Sequence, residues 1–586
     1  MYQLKWLWKN LKGYHAIYIL ALFLSIFCNI LQLVVPVFSQ QIVDLFLTGD
    51  NAAENLETKP NLLVWLVIGM ILATMFRALM SYCANTTYEY TSQKMLYSIR
   101  TDLFRKVLNQ NMGFYDKFRT GDIMTRLTGD LDAIRHMASW IIRMVLECVT
   151  MILIGMVYLI YLDPLIAVSL IVLGPVICIR TLSFRRRIAP KHRELRETMS
   201  QLNTAAQENI SGNRVVKAFA REDYEIENFD EKNETFRVKH IDTALLWLKY
   251  FPYIETCANA LPVILLVVGG ISIISGRITM GEYVAFNGMT WTISNPMRRL
   301  GDIVNQYQRF QAAAKKVLEI SDSVQEICDK PDAIELTEKL RGDITFENVS
   351  FSFGSTEVLH DINFSIKQGE TVAIMGETGS GKTTLINMIP RLYDPTEGRV
   401  LVDGMDVKDL KMRELRSNIG MAAQDVLLFS DTIDGNIAYG DSDMPEEVVH
   451  SFAKAAAASE FIEKMPLHYE TVIGERGVGI SGGQKQRISL AKALAIRPGI
   501  LILDDTTSAV DLETESYIQN SLKNLDFKCT KIIIAQRISS TKDADKIIIL
   551  ENGRISEMGT HKELLEKKGY YYQVYLLQNG GESIDG

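Results

Sequence analysis

Residues 371–384 read TVAIMGETGSGKTT, and this stretch decides the fold. The apolar run Thr371 to Met375 leads into G-x-x-x-x-G-K-T at Gly376 to Thr383, and a helix opens at Lys382. Strand, glycine-rich loop and helix in that order separate a phosphate-binding loop from a chance match. Backbone N–H groups along Gly376, Glu377, Thr378, Gly379, Ser380, Gly381 and on to Thr384 then converge with the helix N-terminus on a triphosphate. Lys382 falls on the outer phosphates and Thr383 on Mg²⁺. ATP and Mg²⁺ are therefore the expected cofactors. A second apolar strand, Gly499 to Leu503, ends in Asp504, where a metal-shell carboxylate is needed opposite such a loop. Taken alone, Asp504 reads better as a polar end to a buried strand.

Between these two segments lie Gln424 and Ile480-Ser481-Gly482-Gly483-Gln484. Gly482 and Gly483 fit a loop that lets backbone amides and Ser481 approach a phosphate at the start of a helix near Gln484. With these segments in order, the chain resembles the nucleotide-binding domain of an ABC transporter over residues 340 to 575. The resemblance implies that Gln424 joins Thr383 and Asp504 around Mg²⁺ and the attacking water. It implies that Phe353 stacks on adenine, for which a ring face suffices, though the same residue reads as strand core. It further implies that Ser481, Gly482, Gly483 and Gln484 complete the ATP site of a facing domain, so that a whole site needs two such domains. Thr471 to Gly477 resembles the segment that exporters of the family use to contact transmembrane loops, and Ser508 to Asp511 the loop along the dimer seam.

Two positions depart from the family pattern. Where efficient members carry Glu after the metal-shell Asp, this chain has Asp505; where they carry His, it has Gln536. Asp505 withdraws the carboxylate by about 1.5 Å, and misplacement on the order of 1 Å costs about a hundredfold in rate. Gln536 hydrogen-bonds through its amide but cannot take on positive charge. Both changes weaken hydrolysis while leaving binding. The combination resembles one half of a heterodimeric multidrug-type exporter with a degenerate site, the partner supplying Glu and His. Drift within a homodimer carrying lipid or peptide, and a non-transporting regulator or ATP-gated pore, remain alternatives.

The 586 residues are 47% hydrophobic, and the apolar residues concentrate before residue 300. Six stretches, at 15 to 39, 62 to 86, 138 to 162, 164 to 184, 245 to 275 and 281 to 300, meet the about 20 residues that a membrane span requires. The expected fold is an all-α six-span transmembrane domain over 1–320, a linker over 321–341, and an α/β P-loop ATPase domain over 342–586. Lys5, Lys9 and Lys12 precede the first span, while Asp50, Glu54 and Glu57 follow it. That asymmetry predicts a cytoplasmic N-terminus and ATPase domain; the expected location is a bacterial plasma membrane. A net charge of −8 gives no reason to expect nucleic acid as a partner.

Two polar helical segments, 89 to 136 and 187 to 243, are too long for simple connections. Gly113-Phe114-Tyr115-Asp116 with Thr120-Gly121-Asp122, and Gly212 to Glu222, resemble the exporter segments that couple spans to nucleotide domains, read here as short aromatic-bearing helices between glycine breaks. Charged residues inside spans are costly and so mark function: Arg77, Arg143, Glu147 and Glu255 are the candidates for a cavity that meets a small amphiphilic substrate. Arg143 and Glu147, four apart on one helical face, serve equally well as a pair for each other.

Overall fold

Long apolar runs with few breakers fold as long helices, and the first half of the chain is built of them. The computed structural model describes residues 2–48, 52–474, 479–506 and 510–579. By contacts it divides into two units: Met1–Leu108 with Arg119–Ser323, and Asn109–Phe118 with Val324–Gly586.

The first unit consists of helical rods. His15–Leu31 continues as Val34–Phe46; Pro60–Leu108 is one helix of 49 residues; Thr120 to Leu162 is helical throughout, passing through π-helical turns at Arg126–Asp130 and Met137–Ile141. Among the described residues these three rods are long and apolar enough to cross a membrane, with Pro262–Ile274 a shorter apolar helix. The stretches expected at 164 to 184, 245 to 275 and 281 to 300 lie on Pro164–Ile171 with Leu173–Ser211, on Glu222–Ile264 with its extension to Ile274, and on Met280–Ser321. At the bilayer's usual thickness of about 30 Å, a 49-residue helix of about 74 Å has to project well beyond it.

Small residues let these rods approach. A Cβ on Gly155 would lie 2.5 Å from Thr292 Oγ1, so the helix Ile142–Leu162 meets Met280–Ser321 almost backbone to side chain. Near the start of Met280–Ser321, Asp44 accepts hydrogen bonds from Thr279 Oγ1 at 2.9 Å and Gly281 N at 2.8 Å. Thr279 itself caps that helix in a reciprocal capping box with Glu282. Toward the other end, Arg126 and Glu319 pair at 3.0 Å.

The second unit holds two sheets. One is antiparallel, in the order β2 (Thr356–Ile366), β1 (Ile344–Phe353), β4 (Glu397–Val402), β5 (Met405–Asp406). The other runs β10 (Arg554–Gly559), β9 (Lys546–Glu551), β3 (Thr371–Met375), β8 (Thr530–Ile534), β7 (Ile500–Asp504), β6 (Ile419–Ala422). Five of its strands, β9 through to the edge strand β6, are parallel and only β10 is antiparallel. Parallel strands are covered on both faces and read as unbroken apolar runs, and β7, ILILD, is buried at every position. Residues 324–341 lie along this unit: Ile334 bridges Leu410, Lys330 pairs with Asp409, and Arg341 N donates to Asp403 at 2.6 Å.

Neither glycine breaks the chain at the first candidate coupling segment: Gly121 lies within the helix Thr120–Thr125, after a break at Phe118 and Arg119, and the first turn comes two residues before Gly113. Gly113 sits inside a short helix, Met112–Lys117, and the chain turns instead at Asn111, whose side chain accepts from Phe114 N. Asn is a strong N-cap, which explains why the helix starts there and runs through the glycine. Gly212 behaves as expected, separating Leu173–Ser211 from Asn213–Ala218.

Candidate functional site

In an open parallel sheet, ligands gather beyond the carboxyl ends of the strands, where the strand order reverses. The phosphate loop follows β3, Gln424 follows β6, Asp504 and Asp505 stand at the end of β7, and Gln536 follows β8, all at this edge, while the adenine-stacking candidate Phe353 ends β1 of the antiparallel sheet. The topology gathers residues more than a hundred positions apart.

The loop takes a shape that side chains other than hydrogen resist. Gly376 has φ +145° and faces Leu550 O so closely that a Cβ would come within 2.1 Å; Gly381 has φ +98° immediately before the helix Lys382–Asn387. Lys382 is 8% exposed and its Nζ donates to Gly376 O at 3.0 Å, Glu377 O at 2.6 Å and Ser380 Oγ at 3.3 Å. Burial pushes its ammonium below the usual lysine range, while Asp504 and Asp505 push it back up. Thr383 Oγ1 donates to Asp504 Oδ2 at 3.0 Å, joining the two groups expected to face a metal. Asp504 is buried, and that burial, followed by the neighbouring Asp505, raises its carboxyl above the ordinary range; Thr383 and Lys382 oppose the shift.

Among the described residues no three His, Cys, Asp or Glu side chains form a metal cluster. One carboxylate beside one hydroxyl is the donor set that suits Mg²⁺, which keeps waters and takes its remaining ligands from nucleotide phosphates. Thr383 and Asp504 therefore fit that ion, which when bound neutralises phosphate charge.

Asp505 adopts φ +51°, a left-handed conformation that Asp tolerates better than most residues. Its N–H donates to Ile534 O at 3.0 Å, and its carbonyl accepts from Gln486 Nε2 at 3.3 Å. Gln536 lines a cavity of about 270 Å³ with Gly376, Glu377 and Thr378. Gln424 is exposed beyond β6. Phe353 is 41% exposed, its ring edge-on to Phe351 at 4.8 Å and to Tyr393 at 5.4 Å, which leaves part of the side chain open to solvent.

Ser481 caps the helix Gly482–Ala495: its Oγ accepts from Gln484 N, and Gln484 Oε1 accepts from Ser481 N at 2.8 Å. The capping box leaves the amides of Gly482 and Gly483 at the helix start, where they favour an anion. Residues 475–477 of the preceding segment and Ser508 and Ala509 of the seam loop lie outside the described residues; Asp511 caps the next helix, Leu512–Lys523.

One contact was not visible in the sequence pattern. Tyr393 donates its hydroxyl to Asp116 Oδ2 of the short helix Met112–Lys117 at 3.0 Å, and burial and Asp116 together raise that hydroxyl to about 12. Tyr393 thus touches both the adenine-stacking candidate Phe353 and the first candidate coupling segment. In the second segment Val215 and Phe219 are exposed, at 61% and 74%.

The span residues divide. Arg143 and Glu147 pair with each other at 3.5 Å, and Arg143 also bonds Asn85, so this pair has a structural explanation. Arg77 lines a separate cavity of about 410 Å³ with Gln32, Ser39, Thr74 and Asn287. Glu255 is half-buried on Glu222–Ile264.

Known proteins match on the same lines. The ABC transporter transmembrane region family matches residues 18–297, and the ABC transporter family of ATP-binding domains matches 359–508. A putative multidrug export ATP-binding/permease protein of Bacillus subtilis is 37% identical, covering 94% of each chain. An ATP-dependent lipid A-core flippase of Syntrophus aciditrophicus is 34% identical over 89% of this chain and 87% of its own. A bacterial Atm1-family ABC exporter solved with ATP bound superposes with a TM-score of 0.80 at 25% identity, covering 96% of this chain and 99% of the other. The chain belongs to the ABC transporter family, as an exporter in which a helical transmembrane domain and an ATP-binding ATPase domain are fused in one polypeptide.

Proposed function

We propose that this chain is one half of a heterodimeric exporter in the cell membrane. Its own phosphate loop nucleates a slowly hydrolysing Mg-ATP site, and its Ser481 to Gln484 segment completes a fully catalytic site on a partner subunit of similar build. ATP binding closes the paired domains and turns the transmembrane cavity outward; hydrolysis at the partner's site resets it. Closure is an equilibrium that bound ATP biases, so a site that seldom hydrolyses still contributes by holding its nucleotide.

One observation carries this reading. The groups that grip Mg-ATP, Lys382 and the Thr383–Asp504 pair, are present and in register. The two groups that act on the attacking water and the terminal phosphate are Asp505 and Gln536, each altered toward slower chemistry. Relatives named for multidrug export and for flipping lipid A-core support an amphiphilic small molecule as cargo. Glu255 is our candidate for a carboxylate that meets cationic members of that class.

The test is purification of the full chain in lipid nanodiscs, alone and together with a similar half-transporter, from the same genome, that carries the catalytic Glu and His. Slow ATP turnover alone and fast turnover as a pair is the expected result. Fast turnover by the chain alone overturns the division of roles in favour of a homodimer.

A further inference from the structure

The ladder that orders β8 ends at Ile534, two residues before Gln536, so something else has to hold Gln536 in place. The last helix, Tyr570–Gln578, does so. Its start is anchored: Tyr571 is fully buried in a cluster with Ala373, Met375, Ile538 and Leu564, and its hydroxyl meets His561 Nδ1 at 2.7 Å. At its end, Gln578 Oε1 accepts from Ile538 N and Gln578 Nε2 donates to Gln536 O, each at 2.8 Å.

A carboxamide carries one acceptor and one donor arm, as a peptide group does, so Gln578 extends the ladder by one artificial rung around Arg537. Tyr570 and Val574 of the same helix line the 270 Å³ cavity that Gln536 shares with the phosphate loop. From the other side, Glu515, buried in its own helix, lies 3.6 Å from Arg537. The backbone on both sides of Arg537 is therefore fixed by the C-terminal helix.

We infer that Gln578 is a positioning residue that aims Gln536 at the terminal phosphate and so sets the preference of this site for ATP over ADP. The inference rests on the proposed reading of Gln536 as a terminal-phosphate contact. A hydrogen bond that merely docks a tail stabilises the protein equally whichever nucleotide is present. A bond that aims Gln536 acts only when a third phosphate is there to be met.

The experiment uses the full chain in nanodiscs, displacing a fluorescent nucleotide with Mg-ATP and with Mg-ADP. Gln578→Leu keeps the side-chain bulk and removes both bonds. The expected result is a fall of about fivefold to tenfold in the ATP-to-ADP affinity ratio, the scale of one lost hydrogen bond, with ADP affinity unchanged. Gln536→Ala gives a similar fall, and the double variant adds little to it. Gln578→Glu, which keeps the acceptor toward Ile538 and loses the donor toward Gln536, gives a partial fall.

If Gln536→Ala lowers the ratio and Gln578→Leu does not, the positioning role is wrong and the reading of Gln536 stands. An equal loss of ATP and ADP affinity in Gln578→Leu means that the bonds only dock the helix, and likewise overturns the role. If Gln536→Ala leaves the ratio unchanged, the reading of Gln536 fails and the positioning role goes with it.

Discussion

At the scale of single residues, the proposed site turns on two adjacent carboxylates assigned different work. Asp505→Glu restores the missing methylene, and we expect ATP turnover by the chain to rise by about tenfold to a hundredfold, measured as phosphate release. The left-handed backbone at this position, φ +51°, is one that Asp accepts readily, and it sets the gain toward the lower end. Asp504 gives a pH test. Burial holds its carboxyl above the ordinary range, so the native state binds this proton more tightly than the unfolded chain. Its contribution to stability is therefore full below the ordinary carboxylate range and is lost as pH rises through the raised value. Asp504→Asn is expected to melt higher than the parent at pH 8 without nucleotide, to lose that advantage near pH 4, and to lose Mg-dependent ATP binding throughout; differential scanning fluorimetry checks the first two. Residues of this kind were legible in the sequence because phosphate chemistry demands fixed residue types at fixed spacing. Tyr393 and Gln578 were not, since their partners lie 277 and 42 positions away and nothing local marks them.

At the scale of elements, apolar length announced the first three membrane rods and the apolar run before Gly376 announced β3. Strand order was silent in the sequence: that β3 sits between β9 and β8 follows from hydrogen bonding over long separations. The short helix Met112–Lys117 starts before Gly113 because Asn111 is the stronger local signal: its side chain caps the helix, and a glycine one residue inside does not break it. Its bond to Tyr393 makes a prediction about coupling between elements. Tyr393→Phe keeps the ring against Phe353 and removes only the hydroxyl. We expect ATP affinity to stay within about twofold, while ATP-driven transport in vesicles falls by about threefold to tenfold, the worth of one hydrogen bond to a charged acceptor at a partly exposed position. Because that hydroxyl is pushed to about 12, it remains a donor across the physiological range, and the effect of the variant is expected to be the same at pH 6 and pH 8.

At the scale of the whole molecule, the proposed pair of unlike sites predicts unequal losses. In the proposed heterodimer, Lys382→Ala in this chain is expected to leave most of the ATP turnover, because it empties the site proposed to be slow. Ser481→Arg in this chain is expected to lower turnover by about a hundredfold, because it blocks the partner's catalytic site with charge and bulk where an anion belongs. Equal losses from the two variants count against the asymmetric pair. The length of the helix Pro60–Leu108 has one more consequence. A continuous rod of about 74 Å acts as a lever, and one degree of tilt about one end sweeps the other through about 1.3 Å. An angular change too small to disturb lipid contacts at the pivot is thus enough, at the far tip, to break or make a hydrogen bond.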